Sequence, residues 1–273
     1  MDRRINPILL LLIAPAAAVF TAFFLLPLVR LAAASVAGPS GIGIYLHALA
    51  TPRYLVTLLN TVVLSLAVTG TTLVLSGFSG VFLTRHRFWG KSLIVSMLTF
   101  PLAFPGVVVG FMIILLVGRQ GLVGDMTRAL TGERIVLAYS MGGLFLGYLY
   151  FSIPRVILTL MAAAEKIDPS LEEAAWSLGA SSWHVIRDVI VPALVPGLIS
   201  SGAICFATAM GAFGTAFTLA TDIDVLPIVI YTEFTLLANI TLAAALSIML
   251  GLITWAVLAT ARAASGSTIA AAG

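Results

Sequence analysis

Six long, strongly apolar stretches of this chain carry no charge. Residues 5–29, 54–84, 92–118, 135–154, 189–221 and 234–261 contain no Asp, Glu, Lys or Arg, and Leu, Val, Ile, Ala and Phe dominate them. A helix needs about 20 apolar residues to cross the hydrocarbon of a bilayer, and each run is long enough. Only 9% of the 273 residues are charged and the mean hydropathy is +1.13. A soluble domain carries about a quarter charged residues, so an integral membrane protein is the reading. A membrane β-barrel would show short alternating segments instead. The predicted fold is all-α, with six transmembrane helices at about 7–30, 55–84, 92–117, 136–160, 193–220 and 235–261. A polar loop over 164–192 separates the fourth and fifth, residues 1–262 form one membrane domain, and 263–273 is a flexible tail. The first run is longer than a signal-peptide core of about 7–15 residues, so it is expected to stay as an uncleaved helix.

Loop charge orients the spans, because Lys and Arg in short loops favour the cytoplasm. The segment "RHRFWGK" carries Arg85, Arg87 and Lys91 without an acid, Arg3 and Arg4 precede the first run, and Arg262 follows the last. With six spans these all fall on one side, which places both termini and the 164–192 loop in the cytoplasm. The segment after the fifth run carries Asp222, Asp224 and Glu233 and no Lys or Arg. It is expected to be an outer acidic loop, solvated or touching an external protein, with a weak attraction for cations. No His or Cys stands near these acids, so no metal site is predicted. The net charge of +3 with no basic run gives no reason for nucleic-acid binding. Cys205 is the only cysteine, so no intramolecular disulfide forms, and it reads as apolar filler.

Inside the runs there is no deep Asp, Glu, Lys or His, which argues against a proton relay or an ion-coupled carrier. A path through this chain would be lined by hydroxyls, backbone, Met and aromatic rings. Two places break the helical pattern. In "FPLAFPG", Pro101 and Pro105 each remove a backbone donor and Gly106 permits close approach. Such a break persists in a bilayer only where neighbours or a water cavity satisfy the freed carbonyls. A bent, cavity-lining helix and an ordinary packing kink both fit. In the fifth run, Gly211, Phe213 and Gly214 mark a second candidate stretch of pathway or kink. "GFSG" at 77–80 matches the G-x-S-G of rhomboid-type intramembrane serine proteases, but that chemistry needs a His in reach of Ser79. His47, His86 and His184 all fall in expected loops, so these small residues read as packing and the chain as no enzyme.

"EKIDPSLEEAAWSLGASSWHVIRDVIVP" is the polar exception. Asp168 can cap a helix with Pro169 at its first position, and Ser170 with Glu173 offers an alternative capping box. Leu171, Ala174, Ala175 and Leu178 fall on one face, and Gly179 suits a C-terminal stop. A second amphipathic piece follows, capped by Ser181 or Ser182, with Trp183, Ile186, Val189 and Ile190 on its apolar side and Pro192 ending it and starting the next span. Two short helices split by a glycine make a hook, which could slot into a groove on another protein or lie at the headgroup surface.

The stretch "EEAAWSLGASSWHVIRDVIVPALVPG" resembles the EAA loop of type I permease subunits of ATP-binding-cassette importers. The family pattern is Glu-Ala-Ala, three residues, Gly, nine residues, then Ile-x-Leu-Pro. This chain has Glu173, Ala174, Ala175, Gly179, Val189, Val191 and Pro192 at those spacings, with Val in place of Ile and Leu. The resemblance implies a bacterial inner-membrane transport subunit whose hook docks in a cleft of a separate cytoplasmic ATPase. Glu173 would make polar contacts there, Ala174 and Ala175 would fit the groove, and Gly179 would shape the turn. Leu171, Glu172 and Leu178 would be neighbours. It further implies an ATPase dimer that holds the ATP and Mg, a second permease copy or paralogue, and an external substrate-binding protein. The chain itself would bind no cofactor, and it contains no G-x-x-x-x-G-K-[ST] phosphate loop. "PLAFPGVVVG" and "VLPIVIY" resemble the spermidine/putrescine branch, with sulfate, molybdate, ferric-iron and phosphonate permeases close by, so a polyamine-type cargo is expected. An ATP-independent channel is the other transport class, and the hook argues against it.

Overall fold

The computed structural model describes residues 7–219 and 223–265, with side chains from residue 12 onward. Helices dominate. In chain order they are α1 (Pro7–Phe20), α2 (Leu26–Val36), α3 (Gly43–Ala50), α4 (Pro52–Arg85), α5 (Lys91–Thr99), α6 (Gly106–Val117) and α7 (Leu122–Thr131). Then come α8 (Met141–Ala164), α9 (Pro169–Ser177), α10 (Ser182–Val185), α11 (Val191–Met210), α12 (Phe213–Leu219), α13 (Leu226–Tyr231) and α14 (Ile240–Ser265). Single π-helical turns keep the helix continuous from α1 to α2 and from α10 to α11. Among the described residues, six helical stretches are long and apolar enough to cross a membrane. They are Leu12–Val36, Pro52–Arg85, Gly106–Thr131, Met141–Ala164, Ser182–Met210 and Ile240–Ser265.

Three sequence expectations are corrected here. The third helix, expected as one bent or kinked span over 92–117, is split in two. After α5 the chain passes through a 3₁₀ turn, Phe100–Ala103, and becomes extended at Phe104 and Pro105 before α6 begins. The two prolines and the restriction they place on the residues before them account for the break. The fifth helix, expected to reach 220, ends at Met210, where Gly211 forms its C-cap and α12 starts separately. Pro192 starts α11 as expected but does not end the preceding piece: the helix runs from Ser182 through the π turn at Ile186–Ile190 and on past the proline.

The chain divides into two compact units. The first lies within Met1–Leu55 and Val229–Gly251. In it, Ser35 Oγ lies 2.7 Å from Tyr45 Oη, and Gly38 leaves room for the Thr241 side chain. Glu233, expected in a solvated outer loop, is 1% exposed within a π turn, Thr232–Leu236. Its carboxylate accepts from Tyr54 Oη at 2.8 Å and from Asn239 Nδ2 at 3.2 Å. A buried carboxylate needs such donors.

The second unit lies within Val56–Ile228 and Leu252–Gly273. Its core gathers Leu64 and Val68 of α4, Ile113 and Val117 of α6, Leu144, Tyr148, Val156 and Leu160 of α8, Cys205 and Ala209 of α11, and Ala216 and Leu219 of α12. Cys205 is buried and free, as filler should be. The buried positions of α4 include Thr57, Thr61, Ser65, Val68, Thr72, Ser76, Gly80 and Leu83, spaced three or four apart, the period of one helix face. Gly80 packs beside Leu160, where a Cβ would stand 3.3 Å from the leucine Cβ, so the "GFSG" glycine serves packing.

Candidate functional site

The hook is built from local signals. Asp168 is extended at the N-cap of α9, its carboxylate accepts from the Ser170 amide at 2.9 Å, and Pro169 occupies the first turn. That amide first, and the Ser170 side chain second, hold the Asp168 carboxyl below the ordinary value of 3.8. The cap is therefore Asp168 rather than the alternative Ser170/Glu173 box. At the other end Gly179 has φ +83°, the left-handed region that glycine enters without a Cβ penalty. The Ala180 amide donates to Ala175 O at 3.1 Å and the Gly179 amide to Trp176 O at 2.9 Å. These two bonds form a Schellman stop, and Ala175 and Ala180 pack into the same small core as Ile167, Val185 and Ile190.

The two faces of α9 differ in role. Glu172 turns inward: it is 7% exposed and ion-paired with Arg85, the last residue of α4. Glu173 turns outward with Ala174, Leu171 (52% exposed) and Leu178 (89% exposed). Ala175, expected on that same apolar face, instead points to the core under the hook. On the second piece the expected apolar side holds at Val189 and Ile190, which pack into the core under the hook, and fails at Trp183 and Ile186. Trp183 and Ile186 are exposed, while Val185 and Ile190 are buried. The π turn at Ile186–Ile190 accounts for this, because its extra residue rotates the face beyond it. Ser181 stands at the N-cap, but its hydroxyl lies 2.8 Å from His184 Nδ1 rather than on a backbone amide.

The candidate pathway residues come together in part. Gly106 and Gly214 meet where α6 crosses α12: a Cβ on Gly106 would lie 3.1 Å from Thr215 N, and one on Gly214 would lie 3.1 Å from Val107 N. Thr215 Oγ1 donates to Gly106 O at 3.0 Å, and Thr218 Oγ1 to Val107 O at 3.3 Å. Tyr148 Oη donates to Ala212 O at 2.8 Å, next to the Gly211 break. Side chains of neighbouring helices thus take up carbonyls near both breaks, as burial in a bilayer requires. Pro101 lies in the 3₁₀ turn and Pro105 is the N-cap of α6. Phe213 opens α12, with its ring 5.3 Å from that of Phe217. Among the acids, Asp224 is exposed, Glu233 is buried as described, and Asp222 lies outside the described residues. Among the described residues, no three His, Cys, Asp or Glu side chains gather as a metal site would.

Sequence reasoning missed Arg85 as the partner of Glu172, and it missed Thr215, Thr218 and Tyr148. It also missed Arg155, which falls inside α8 and donates from Nη1 to Thr208 Oγ1 at 3.2 Å. The expected fourth helix, 136–160, already runs past Arg155, but Arg155 bounds the uncharged run 135–154 and so does not read as a charge inside the span. The apolar stretch "VILTLMAAA" immediately after it is the signal that could have revealed it.

The family model described as "Binding-protein-dependent transport system inner membrane component" matches residues 72–265. The molybdenum transport system permease protein ModB of Escherichia coli (strain K12) is 35% identical over 166 residues, which covers 59% of this chain and 72% of that protein. A probable sulfate transport system permease protein, cysT, of Chlorella vulgaris is 38% identical over 141 residues, 52% of each. The chloroplastic sulfate permease 2 of Chlamydomonas reinhardtii is 34% identical over 183 residues, 67% of this chain and 49% of that one. The matches thus span about half the length of the two algal relatives. Among solved structures, a bacterial alginate ABC transporter in complex with an alginate pentasaccharide-bound periplasmic protein superposes with a TM-score of 0.77 at 18% identity, covering 94% of this chain and 93% of that one. At that identity the likeness concerns the fold.

Proposed function

Because this chain belongs to the binding-protein-dependent transport system inner membrane components, we propose that it forms one membrane-spanning half of an ATP-driven importer for a small oxyanion of the sulfate or molybdate kind. The observation that carries the coupling role is the outward face of α9. Leu171, Ala174 and Leu178 present apolar surface beside Glu173, on a helix held from behind by the ion pair of Glu172 with Arg85. A stiff helix with an apolar stripe and one charge fits a groove on a partner protein. The partner is a separate cytoplasmic ATPase, and a second permease, identical or paralogous, completes the pore. An external binding protein delivers the cargo. Residues 1–262 act as one permease domain, and the termini and hook face the cytoplasm, in keeping with Arg85, Arg87 and Lys91 on the same side.

The oxyanion reading rests on relatives named for sulfate and molybdenum transport. The polyamine expectation finds no support among them. Its one physical argument also weakens, since Glu233 is buried and already bonded to Tyr54 and Asn239. The test is uptake by the assembled importer in proteoliposomes, with sulfate, molybdate and spermidine offered in parallel. Glu173→Lys and Leu178→Arg are expected to insert normally yet to lose both co-purification of the ATPase and uptake. If both variants keep the ATPase and transport at the normal rate, the docking reading is wrong.

A further inference from the structure

Arg155 is placed where a cation is hardest to explain. It lies in α8, nine positions before that helix ends at Ala164, about 13 Å along the axis at 1.5 Å per residue. Its side chain is exposed in a helix whose neighbours are apolar. Two contacts set the register of α8 against α11 and the turn that follows it. A Cβ on Gly197 would stand 3.1 Å from Ala163 Cβ, and Tyr148 Oη bonds Ala212 O. In that register Thr208 stands level with Ser152, about one turn farther from the hook than Arg155. The guanidinium that bonds Thr208 Oγ1 therefore reaches into the span. Snorkelling to the near headgroups would send it the opposite way.

Neither α8 nor α11 contains an Asp or Glu, so no carboxylate on these helices offsets the charge. A second copy related by a two-fold axis would present the same acid-free helices. An ionised group held at this depth without a counter-ion on its own helices marks a watered path or a charged cargo. The hydroxyl of Thr208 donates to Ile204 O at 2.8 Å and accepts from Arg155, which fixes one of the five guanidinium N–H groups. The others remain in the fork geometry that takes two oxygens of an oxyanion at once.

We propose that Arg155, positioned by Thr208, is a stopping point for the oxyanion within the translocation pathway, where the guanidinium fork receives two of its oxygens. This rests on the oxyanion reading of the cargo. The experiment uses the assembled importer in proteoliposomes, with radiolabelled sulfate and molybdate as probes, and follows uptake, ATP hydrolysis stimulated by loaded binding protein, and recovery of the complex. Arg155→Gln is expected to lower uptake of both anions about tenfold or more, the scale of losing a charge-assisted pair of hydrogen bonds, with ATP hydrolysis and assembly retained. Arg155→Lys keeps the charge without the fork and is expected to restore part of the uptake at a raised half-saturation concentration. Arg155→Gln protein that assembles and moves both anions at the normal rate overturns the proposal and leaves the cargo reading standing. Unmodified importer that accumulates neither anion overturns the cargo reading and this step with it. If Arg155→Gln fails to assemble, Thr208→Val decides, since it leaves the charge in place. A raised half-saturation for uptake supports the proposal, and unchanged uptake overturns it.

Discussion

Ala238 has φ +52°, a left-handed conformation with a Cβ penalty of about 1 kcal/mol. Its neighbour Asn239 holds it there. The Asn239 amide donates to Glu233 O at 2.8 Å, and Asn239 Oδ1 accepts from the Leu242 amide at the start of α14. Ala238→Gly is expected to raise the melting temperature of the detergent-solubilised protein, and a fall would show that the alanine methyl packs productively. Asp168 gives a pH-dependent case. Its folded carboxyl lies below the ordinary 3.8 because the Ser170 amide and side chain bond the ionised form, so folding favours the charged state. That contribution is complete above the unfolded value, and it is lost as pH falls through the lower folded value. Protection of the amides at the start of α9, taken as the exchange rate relative to the intrinsic rate at each pH, should accordingly be flat from neutral pH down to about 5 and fall in more acid solution. Asp168→Asn should remove the acid-dependent step. Asp168 has a sequence signal, a capping residue before Pro169, and Ala238 has none, which is why only Asp168 was legible.

At the scale of elements, the hook is coupled to the bundle by the ion pair of Arg85 with Glu172. The pair is largely buried, and removing one partner of a buried pair costs about 3 kcal/mol. Arg85→Glu or Glu172→Arg alone is expected to loosen α9 and cut ATP-dependent uptake at least about tenfold, with the double swap recovering part of it. A swap with no more uptake than the singles would show that the two side chains act separately. The glycine crossing of α6 and α12 works by proximity instead. A Cβ on Gly110 would fall 2.6 Å from Thr218 Cβ, too close for any side chain unless the helices part. Neither relation is a local pattern. Arg85 and Glu172 lie on different helices, and the spacing of Gly106, Gly110 and Gly214 announces close packing without saying what they pack against.

For the whole molecule, the sequence holds no G-x-x-x-x-G-K-[ST] phosphate loop, and net transport is expected to require partners. Vesicles holding this chain alone should accumulate neither sulfate nor molybdate, and adding the ATPase and binding protein should produce uptake that stops when ATP is withdrawn. Flux through the chain alone would make it a channel.

The amino-acid sequence was sufficient for the membrane class, the six apolar stretches and the glycine-stopped hook with its Glu-Ala-Ala pattern. Each of these is a matter of composition or of residues within a few positions of one another, where local backbone preference and the 3.6-residue period apply. Only the tertiary structure decided that Glu172 faces inward while Glu173 faces outward, that Glu233 is buried on Tyr54, and that Arg155 reaches to Thr208. The physical reason is the same in all three. Where a charge goes is settled by which distant donor or acceptor offsets its desolvation, and the packing of helices, not the spacing of residues, brings that partner within reach.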